Sequence, residues 1–552
     1  MERNDPRYQA YVEILKEELI PAMGCTEPIA LAYAAAKARE VLGVLPDSVQ
    51  LQVSGSIIKN VKSVIVPNTG HLKGMEAAVA AGIIAGSAEK ELEVISEVSE
   101  EKKSAIRDYL QTVPITIEHT EQGHVFDIVV TERCGQDYAR VRIADYHTNI
   151  CRIEKNGTVL YEMPLLDETV QENARADRSL LNMQDIWDFA ETADLRDVAD
   201  LLERQIRYNN AIAEEGLLGD YGANIGRVLL TTYGNDVSNR AKAKAAAGSD
   251  ARMNGCELPV IINSGSGNQG ITCSVPLIEY AKELHSGKEK LYRALIISNL
   301  VAIHEKTGIG TLSAYCGAVS AGAGAGAGIV YLCGDGYQAA IHTVVNALAI
   351  VSGIVCDGAK ASCAAKIASS VDAALLGYNM YKCHQEFKGG DGIVMKDIET
   401  TIKGIGRLGK DGKPFIMYKF RSMCKDAERD GPRWADADDA RCTRFGAFLR
   451  RTRLDELPQI WNILKGDMSF VGPRPERAYF YREFEKYIPG FSNRLIVTPG
   501  LTGYAQVNGG YSLKPEEKII YDMEYIERQS IALDLRCLLK TVHIVFSHEG
   551  AR

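Results

Sequence analysis

A stretch rich in small residues constrains the fold more than any other part of this 552-residue chain. It covers residues 313–367 and reads SAYCGAVSAGAGAGAGIVYLCGDGYQAAIHTVVNALAIVSGIVCDGAKASCAAKI. Small side chains let helices approach closely, and the scarcity of charges indicates that the segment lies in the interior. The run AGAGAGAG at 321–328 is too short for a low-complexity repeat, and it predicts a tightly packed helix.

Four of the thirteen cysteines lie in this stretch, at positions 316, 333, 356 and 363. Thiolates held on short turns in such a segment can ligate iron or zinc. Free cysteine is also among the most buried residue types, and it often only packs. Spacing alone leaves both interpretations open, a metal site or a set of packing residues.

The composition is that of an ordinary globular protein, with 46% hydrophobic and 24% charged residues. The length predicts three or four domains. A formal net charge of -9 without a long basic run argues against nucleic-acid binding. The charged, amphipathic start is unlike an export signal, so the thirteen cysteines predict reduced thiols and a cytoplasmic location. No window supplies the roughly 20 apolar residues of a membrane-spanning helix.

The first part of the chain predicts an α+β domain. Alternating runs at 48–53 and 56–66 are typical of strands, and a Gly/Ala-rich helix is expected at about 72–87. Short alternating segments from Ile115 to Glu162, separated by turn sequences, predict an antiparallel meander. From about 180 to 385 the period changes to 3.6 residues, which predicts a helical domain.

The segment PAMGCTEPIALAYAAAKA places Cys25 just before a predicted helix, with Pro28 in its first turn and Thr26 or Glu27 as cap. A helix N-terminus favours a thiolate, although a single cysteine there is also commonly structural. A second segment, INSGSGNQGITCSVPL, combines Gly265, Gly267 and Gly270 with polar side chains. Such a loop before a helix suits a carboxylate or phosphate, and it is equally typical of an ordinary interhelical connection.

GCTEPIALAYAAAKA, INSGSGNQGITCSVP, AYCGAVSAGAGAGAG, GIVCDGAKASCAAKIA and FKGGDGIV together resemble the L-cysteine desulfidase family, related to the iron–sulfur L-serine dehydratase α chain. The resemblance covers about residues 1–405. It implies a lyase that converts L-cysteine, or alternatively L-serine, with a [4Fe–4S] cluster. Cys316, Cys356 and Cys363 resemble the cluster ligands. Cys25 resembles the cysteine that either caps the fourth iron or acts as the base.

The resemblance also suggests where the amino-acid substrate binds. Removing an α-proton requires a base and a stabilised carboxylate. Ser264, Ser266 and Asn268 are candidates to bind that carboxylate. His71, in NTGHLKGME, is a candidate to orient the substrate, although a single histidine is more often structural. Cys273 and Cys333 are predicted to be packing residues.

The composition changes near GIGRLGKDGKPF, where arginine, aromatic residues and proline become frequent. KPFIMYKFRSM, TRFGAFLRRTRLDELPQIWNILKGDMSFVGPRPE and TPGLTGYAQVNG closely resemble the bacterial sugar transferases, monotopic phosphoglycosyl transferases. The resemblance runs from about 407 to 552. It implies transfer of a sugar phosphate from a UDP-sugar to a polyprenyl phosphate, undecaprenyl phosphate. Without it, LDELP would be an ordinary acidic helix start.

Carried onto this sequence, the catalytic carboxylates are Asp455, as nucleophile, and Glu456, with Mg²⁺ as cofactor. Arg421, Arg474 and Arg477 are predicted to bind diphosphate oxygens. Members of that family begin with a hydrophobic re-entrant helix, whose place the desulfidase-like region takes here. The alternatives are therefore an idle domain or one in peripheral contact with the inner membrane. The junction lies at a short string similar in both families, which is also where a recombined gene would join.

The sequence thus predicts an α+β protein of three domains. Residues 1–170 form an α+β domain, 171–405 a helical Cys-rich catalytic domain, and 406–552 a mainly helical transferase-like domain. The first hypothesis is an iron–sulfur lyase fused to a truncated transferase. The second is that the transferase is the main activity, and the third is a non-enzymatic binding protein whose cysteines only pack.

Overall fold

The computed structural model describes residues 1–62, 64–120, 124–163, 176–310, 315–356, 358–410, 417–424, 441–485, 487–488, 491–509 and 513–547. The chain divides into two compact units, Met1–Phe387 and Lys388–Arg552. The mixed helix and sheet of the first unit and the mainly helical second unit confirm the predicted α+β class. The predicted boundary at 170/171 lies outside the described residues, and 405/406 falls inside a helix, Ile398–Lys410. The three-domain division stays a prediction.

The first unit begins with helices and strands in alternation. The helices are α1 (Pro6–Glu18), α2 (Thr26–Leu42), α3 (Gly55–Val61), α4 (Gly74–Ala85) and α5 (Glu100–Thr112), with a short 3-10 helix at Ala88–Glu93. The strands are β1 (Pro21–Met23), β2 (Ser48–Val53), β3 (Ile115–His119), β4 (Asp127–Cys134), β5 (Asp137–Ala144), β6 (Ile150–Lys155), β7 (Thr158–Glu162) and β8 (Pro259–Ile261).

In the described part of this unit, a six-stranded sheet has the order β3-β2-β4-β5-β6-β7. Strands β4 to β7 form the predicted antiparallel meander, whereas β3 pairs in parallel with β2 because α5 carries the chain back before it. Helix α2 packs on the sheet at β4 and β5, and α4 packs on α2. The run at 56–66 is not a strand: 55–61 is α3, in which Ile57, Asn60 and Val61 are buried at helical spacing.

The rest of the first unit is helical, as predicted. Its helices are α6 (Met183–Thr192), α7 (Ala199–Leu218), α8 (Ile225–Tyr233), α9 (Val237–Met253), α10 (Gly267–Glu283), α11 (Lys288–Ile309), α12 (Gly317–Cys333), α13 (Tyr337–Val351) and α14 (Ser362–Lys382). Short 3-10 helices lie at Arg178–Leu180 and Leu195–Asp197.

Helix α12, which contains the AGAGAGAG run, lies at the centre of these helices and packs against α10, α11, α13 and α14. A Cβ at Gly322 or Gly326 would lie 2.8 Å from atoms of α14. A Cβ at Gly324 would overlap with the Ser298 carbonyl of α11, and one at Gly328 would lie 2.5 Å from Leu277 of α10. Glycines four residues apart thus share a face, so two faces of α12 meet neighbouring helices at backbone distance.

The second unit consists mainly of short helices around a pair of parallel strands. The helices are α15 (Ile398–Lys410), α16 (Arg444–Arg451), α17 (Gln459–Leu464), α18 (Ala478–Glu485), α19 (Tyr504–Gly509), α20 (Pro515–Arg528) and α21 (Ile531–Ser547). Short 3-10 helices lie at Leu454–Glu456 and Phe491–Ile496, and the strands are β9 (Ser469–Val471) and β10 (Gly500–Thr502).

The core of the second unit comprises Val471, Val497, Tyr525, Ile526 and Cys537. In the described ranges of the whole chain, no helix is both long enough and apolar enough to span a membrane.

Candidate active sites

Strand pairing and one hydrogen bond bring Cys25 close to the glycine-rich loop. Strand β1 pairs antiparallel with β8, so the chain enters α2 and α10 from neighbouring strands. Cys25 is the N-cap of α2, one residue earlier than the predicted cap, and it is only 2% exposed. The hydroxyl of Thr26 donates to the carbonyl of Gly265 at 3.0 Å. The first turn of α2 is therefore joined directly to the loop that precedes α10.

Glu27, which the sequence indicated only as a possible helix cap, is a buried carboxylate next to Cys25. The thiol of Cys25 donates to Glu27 Oε2 at 3.0 Å, and Asn60 donates to Glu27 Oε1 at 3.0 Å. Burial acts to raise the pKa of Glu27, but the charge of His147 and the bond from Cys25 outweigh it, so the pKa is lowered. Glu27 is therefore an ionised acceptor inside the protein.

The thiol of Cys25 is not held as a thiolate by the protein alone. Burial, reinforced by the charge of Glu27, raises the pKa of Cys25 well above its ordinary value, although Arg252 acts in the opposite direction. A helix N-terminus favours a thiolate, but at this position desolvation and a neighbouring carboxylate outweigh that effect.

The polar residues of the glycine-rich loop form a tight turn at the start of α10. Backbone hydrogen bonds of 3.0 and 3.1 Å join Asn263 and Ser266, and Ser264 adopts a φ of 49°. The Ser264 hydroxyl donates to Asn263 Oδ1 at 2.9 Å. Ser266 is the N-cap of α10 without a side-chain cap bond, and Asn268 Oδ1 accepts from Arg252 at 3.1 Å. The three predicted residues thus surround one helix N-terminus.

Two further polar side chains lie against this loop, and sequence reasoning missed both. Arg252 is 2% exposed, and a Cβ at Gly267 would overlap with its Nε. His147 is also buried, and a Cβ at Gly265 would lie 3.2 Å from its Cε1. Burial lowers the pKa of His147, against the opposing effect of Glu27. The available signal for Arg252 was its position as an arginine at the end of an alanine-rich helix.

Three of the four cysteines of the small-residue stretch converge. Cys316 is the N-cap of α12, Cys356 lies in the segment between α13 and α14, and Cys363 is the second residue of α14. An antiparallel bridge between Tyr315 and Val355 and a 3.1 Å bond from Cys316 N to the Ile354 carbonyl join the first two segments. Burial raises the pKa of Cys316, and the charges of Cys356 and Cys363 act in the same direction.

Cys25 belongs to the same region as these three cysteines. It forms a buried cluster with Val64 and Met253, against which Ala359 and Cys363 pack. Burial raises the pKa of Cys363 too, with a contribution from Cys356 in the same direction, while Lys366 and Arg252 oppose it. The structure therefore brings all four predicted cysteines together, although they are spread over more than three hundred residues of sequence.

Lysines surround the cysteines, and none of them was predicted. Lys306 is nearly buried, and burial lowers its pKa to about 8 against the effect of Cys356 and Cys316. Lys59 donates to the Cys356 carbonyl at 3.4 Å, and Lys366 donates to the Val355 carbonyl at 3.0 Å. These cations favour negative charge on the thiols, and hence thiolate ligands.

The donor set fits a multinuclear cluster better than a single ion. Within the described ranges, no three His, Cys, Asp or Glu side chains are close enough together to hold one metal ion. In a four-iron cluster each thiolate binds a different iron, so the ligands can stand further apart than around one ion. Three thiols converge and a fourth lies nearby, and these thiols fit the donor chemistry of such a cluster. The neighbouring cations favour their thiolate form.

The other residues that the sequence analysis named for this region are His71, Cys273 and Cys333. His71 is exposed, with a φ of 68°, and a Cβ at Gly255 would lie 3.6 Å from its Nδ1. Cys273 is fully buried with Ala302 and Ala321, and Cys333 is exposed.

In the second unit, Asp455 and Glu456 lie in the 3-10 helix Leu454–Glu456, and both are largely buried. Glu456 forms an ion pair with Arg474 and a second with Lys419 at 3.2 Å. Burial acts to raise the pKa of Glu456, but the charges of Arg474 and Lys419 outweigh it and lower the pKa to about 2. Burial and the charge of Glu456 raise the pKa of Asp455. The two adjacent carboxylates therefore have opposite electrostatic environments.

Of the three predicted arginines, the structure places Arg474 beside the carboxylates, whereas Arg421 and Arg477 are exposed. Lys419 was missed in the sequence. Behind Arg474, the fully buried Arg494 donates to the Arg474 carbonyl at 3.0 Å and pairs with Asp522 at 2.5 Å. This buried pair fixes the backbone that carries Arg474.

Comparison with known proteins matches both parts of the chain. Residues 89–413, more than half of the chain, match the family model for the serine dehydratase alpha chain. Residues 393–548 match the model for bacterial sugar transferase, so the two ranges overlap at 393–413.

Similar proteins are found in several bacteria. A UPF0597 protein of Desulfitobacterium hafniense is 62% identical over 412 residues, which cover 75% of this chain and 95% of that protein. UPF0597 proteins of Lachnoclostridium phytofermentans and Treponema denticola are 53% and 47% identical, over 73% and 75% of this chain and 96% of each relative. The chain therefore belongs to the serine dehydratase alpha chain family, among the UPF0597 proteins, and it carries a C-terminal bacterial sugar transferase region.

Proposed function

We propose that the first unit is a lyase that splits L-cysteine into pyruvate, sulfide and ammonia with a [4Fe–4S] cluster. Cys316, Cys356 and Cys363 would hold the cluster, and Cys25 would be its fourth ligand or the base. The single observation that carries the proposal is the convergence of these four cysteines beside the loop at the start of α10. When bound, the cluster supplies a Lewis-acidic iron that polarises the leaving group of the substrate.

The side chains of this unit account for the proton transfer. Glu27 first accepts the thiol proton of Cys25 across the hydrogen bond that joins them. Cys25 Sγ, then a thiolate, takes the proton from the substrate Cα; the electron pair forms the Cα–Cβ double bond while the Cβ–S bond breaks and hydrosulfide leaves. The aminoacrylate product then reacts with water to give pyruvate and ammonia. Glu27 orients Sγ through its 3.0 Å hydrogen bond, and Val64 and Met253 shield Cys25 from water.

L-serine is the alternative substrate, favoured by the match to the serine dehydratase alpha chain. The same elimination would then release water in place of hydrogen sulfide. Because both substrates share the α-carboxylate and α-amino group, the residues around Cys25 and the loop at 263–268 serve either one.

Anaerobic purification followed by iron and sulfide analysis tests the proposal, together with assays of sulfide and pyruvate release from L-cysteine and L-serine. We expect about four iron and four labile sulfide atoms per chain. Cys316→Ser, Cys356→Ser and Cys363→Ser should each lower the iron content and abolish activity. Cys273→Ala, which removes a buried cysteine from the same helical region, and Cys333→Ala, which removes an exposed one, are the matched controls. Full activity in Cys356→Ser would contradict the proposal.

A second function is proposed for the second unit, transfer of a sugar phosphate from a UDP-sugar to a polyprenyl phosphate. The observation that favours it is the pair Asp455 and Glu456 beside Arg474 and Lys419. Asp455 Oδ would attack the phosphorus next to the sugar, forming an acyl phosphate that carries the sugar as the bond to UMP breaks. The polyprenyl phosphate would then take the sugar phosphate from Asp455.

The residues of this site also suit the two anionic substrates of the reaction, the UDP-sugar and the polyprenyl phosphate. Arg474 and Lys419 offset phosphate charge and keep Glu456 ionised. Mg²⁺ is commonly bound by one or two carboxylates together with substrate phosphates. Asp455 is the carboxylate less engaged by cations, so it would bind the Mg²⁺, and the ion would offset further phosphate charge. A transfer assay with a UDP-sugar and polyprenyl phosphate should show activity that Asp455→Asn abolishes and Glu524→Gln retains. Equal transfer by wild type and Asp455→Asn would exclude this function.

A further inference from the structure

Arg252 is a buried cation whose charge no carboxylate neutralises at contact distance. It lies near the end of α9 and is 2% exposed. Among the described residues, no Asp or Glu oxygen is within ion-pair distance of its guanidinium, and its Nε has no acceptor. A charge buried without a counterion is strongly unfavourable unless a partner compensates it. The position therefore suits an anionic ligand.

Glu27, a carboxylate on which Arg252 acts electrostatically, does not fill that role. Glu27 accepts its hydrogen bonds from Cys25 and Asn60. The charge of Arg252 contributes to the lowered pKa of Glu27, so the two are in the same region without an ion pair. Glu27 is thus held by other donors, and the guanidinium remains available.

The loop at the start of α10 provides the other half of an anion site. Arg252 Nη1 donates to Asn268 Oδ1 at 3.1 Å, and Gly267 brings the backbone so close that a Cβ would overlap with Arg252 Nε. Ser266 caps α10 without a side-chain bond to its first turn. A guanidinium next to the free N–H groups of a 17-residue helix is a strong combination for a carboxylate.

An anion bound to Arg252 would lie beside the residues proposed to carry out the elimination. Met253, the residue next to Arg252, lies in a buried cluster with Cys25, against which Cys363 packs, so Arg252 is near the proposed base and near a proposed cluster ligand. An α-amino acid whose carboxylate binds Arg252 would present its Cα and Cβ within this region. That arrangement is what elimination from an amino acid requires.

We propose that Arg252, with Asn268 and the N-terminus of α10, binds the α-carboxylate of the amino-acid substrate and makes the site specific for a free carboxylate. This assignment rests on the proposed lyase function of the first unit. It replaces the purely neutral site of Ser264, Ser266 and Asn268 with one that contains a permanent positive charge.

The first experiment measures sulfide release from L-cysteine and from L-cysteinamide, which lacks the carboxylate charge. Wild type should prefer L-cysteine by roughly 100-fold or more in kcat/KM, since a buried charge is left unpaired by the amide. Arg252→Gln should reduce this preference to within roughly tenfold, mainly by raising KM for L-cysteine, and Arg252→Lys should retain part of it. Iron content should be unchanged in both variants. Arg240→Gln, on the same helix but paired with Glu279 and Glu283, should behave as wild type.

The second experiment is calorimetric titration with L-alanine and L-alaninamide, neither of which has a β-leaving group. Wild type should bind L-alanine and not L-alaninamide, and Arg252→Gln should bind neither. Equal binding of both by wild type would overturn the assignment even if Arg252→Gln fails to fold.

If wild type releases sulfide but Arg252→Gln keeps the full preference for L-cysteine, the carboxylate assignment fails and the lyase function stands. If L-alanine binds through Arg252 without any sulfide release, the lyase function fails and the carboxylate site stands.

Discussion

The thiol of Cys25 donates to Glu27 Oε2 at 3.0 Å in the buried first turn of α2. The two residues are separated by Thr26, whose hydroxyl bonds to the glycine-rich loop. The tripeptide Cys-Thr-Glu therefore performs three tasks in one turn: it supplies the proposed base, joins α2 to the loop before α10 and orients the thiol. This relationship makes Glu27 the most direct test of the proposed proton transfer.

Glu27→Gln should lower kcat for sulfide release by roughly 10- to 100-fold. Glu27 accepts one hydrogen bond on each carboxylate oxygen, from Cys25 and from Asn60, whereas a glutamine amide has only one oxygen that accepts. Steady-state kinetics and iron analysis measure the effect, and the iron content should not change. Glu40→Gln is the matched control, since Glu40 lies on the same helix and pairs with Lys37 at the surface. A wild-type kcat in Glu27→Gln would show that Glu27 does not position Cys25.

Gly324→Ala should destabilise the first unit by about 1–3 kcal/mol, since its methyl group would overlap with the Ser298 carbonyl of α11. Urea denaturation gives the free energy of unfolding. Gly353→Ala is the control, because a Cβ there meets no atom of the described structure within 4 Å and the φ angle is not positive. If both variants are equally stable, the close approach of α12 and α11 is not needed for stability.

Glu132→Gln should stabilise the protein at pH 7 and have little effect near pH 4. Glu132 is buried in β4, neither carboxylate oxygen has a partner among the described residues, and burial raises its pKa well above the ordinary value despite Arg39. As pH rises above the unfolded pKa of about 4.3, the unfolded chain loses this proton first, so folding becomes less favourable until the folded pKa is passed.

Glutamine mimics the neutral carboxyl group and removes this pH dependence. The gain in unfolding free energy at pH 7 should be on the order of 1–3 kcal/mol. Denaturation of wild type and Glu132→Gln at pH 4 and pH 7 measures it. Glu118→Gln, on an exposed part of the same sheet, should show no such difference between the two pH values. A gain that is equal at both pH values would contradict the assigned titration.

Arg474→Gln should destabilise the second unit by about 3–5 kcal/mol at pH 7, because Glu456 would remain buried and ionised with Lys419 as its remaining ion-pair partner. The folded pKa of Glu456 is about 2, so its ion pairs stabilise the fold above the unfolded pKa and are lost as pH falls towards 2. Because Trp187 lies in the first unit, denaturation is monitored by tryptophan fluorescence in a Trp187→Phe background, where the signal comes from the second unit. Arg528→Gln, which breaks an exposed pair with Glu524, should cost under about 1 kcal/mol.

Much of the fold followed from local sequence patterns. The 3.6-residue period predicted the helices of the first unit, and the alternating segments after residue 115 predicted the meander. The failures were also local: 56–66 alternates like a strand, yet Ile57 and Val61 are buried at helical spacing in α3. Short apolar runs fit both periods, and tertiary packing decides between them.

The sequence by itself determined the family and the α+β class, and it predicted the cysteines at 25, 316, 356 and 363 as site residues, because motifs and periodicity are properties of contiguous residues. Only the tertiary structure decided which polar residues join them. Glu27, His147, Arg252 and Lys306 come from four separate segments, and each looks ordinary in its own. The pairing of β1 with β8 and the packing of α14 against α9 and α12 bring such segments together. The significance of a buried charge depends on its neighbours in space, which no local pattern specifies.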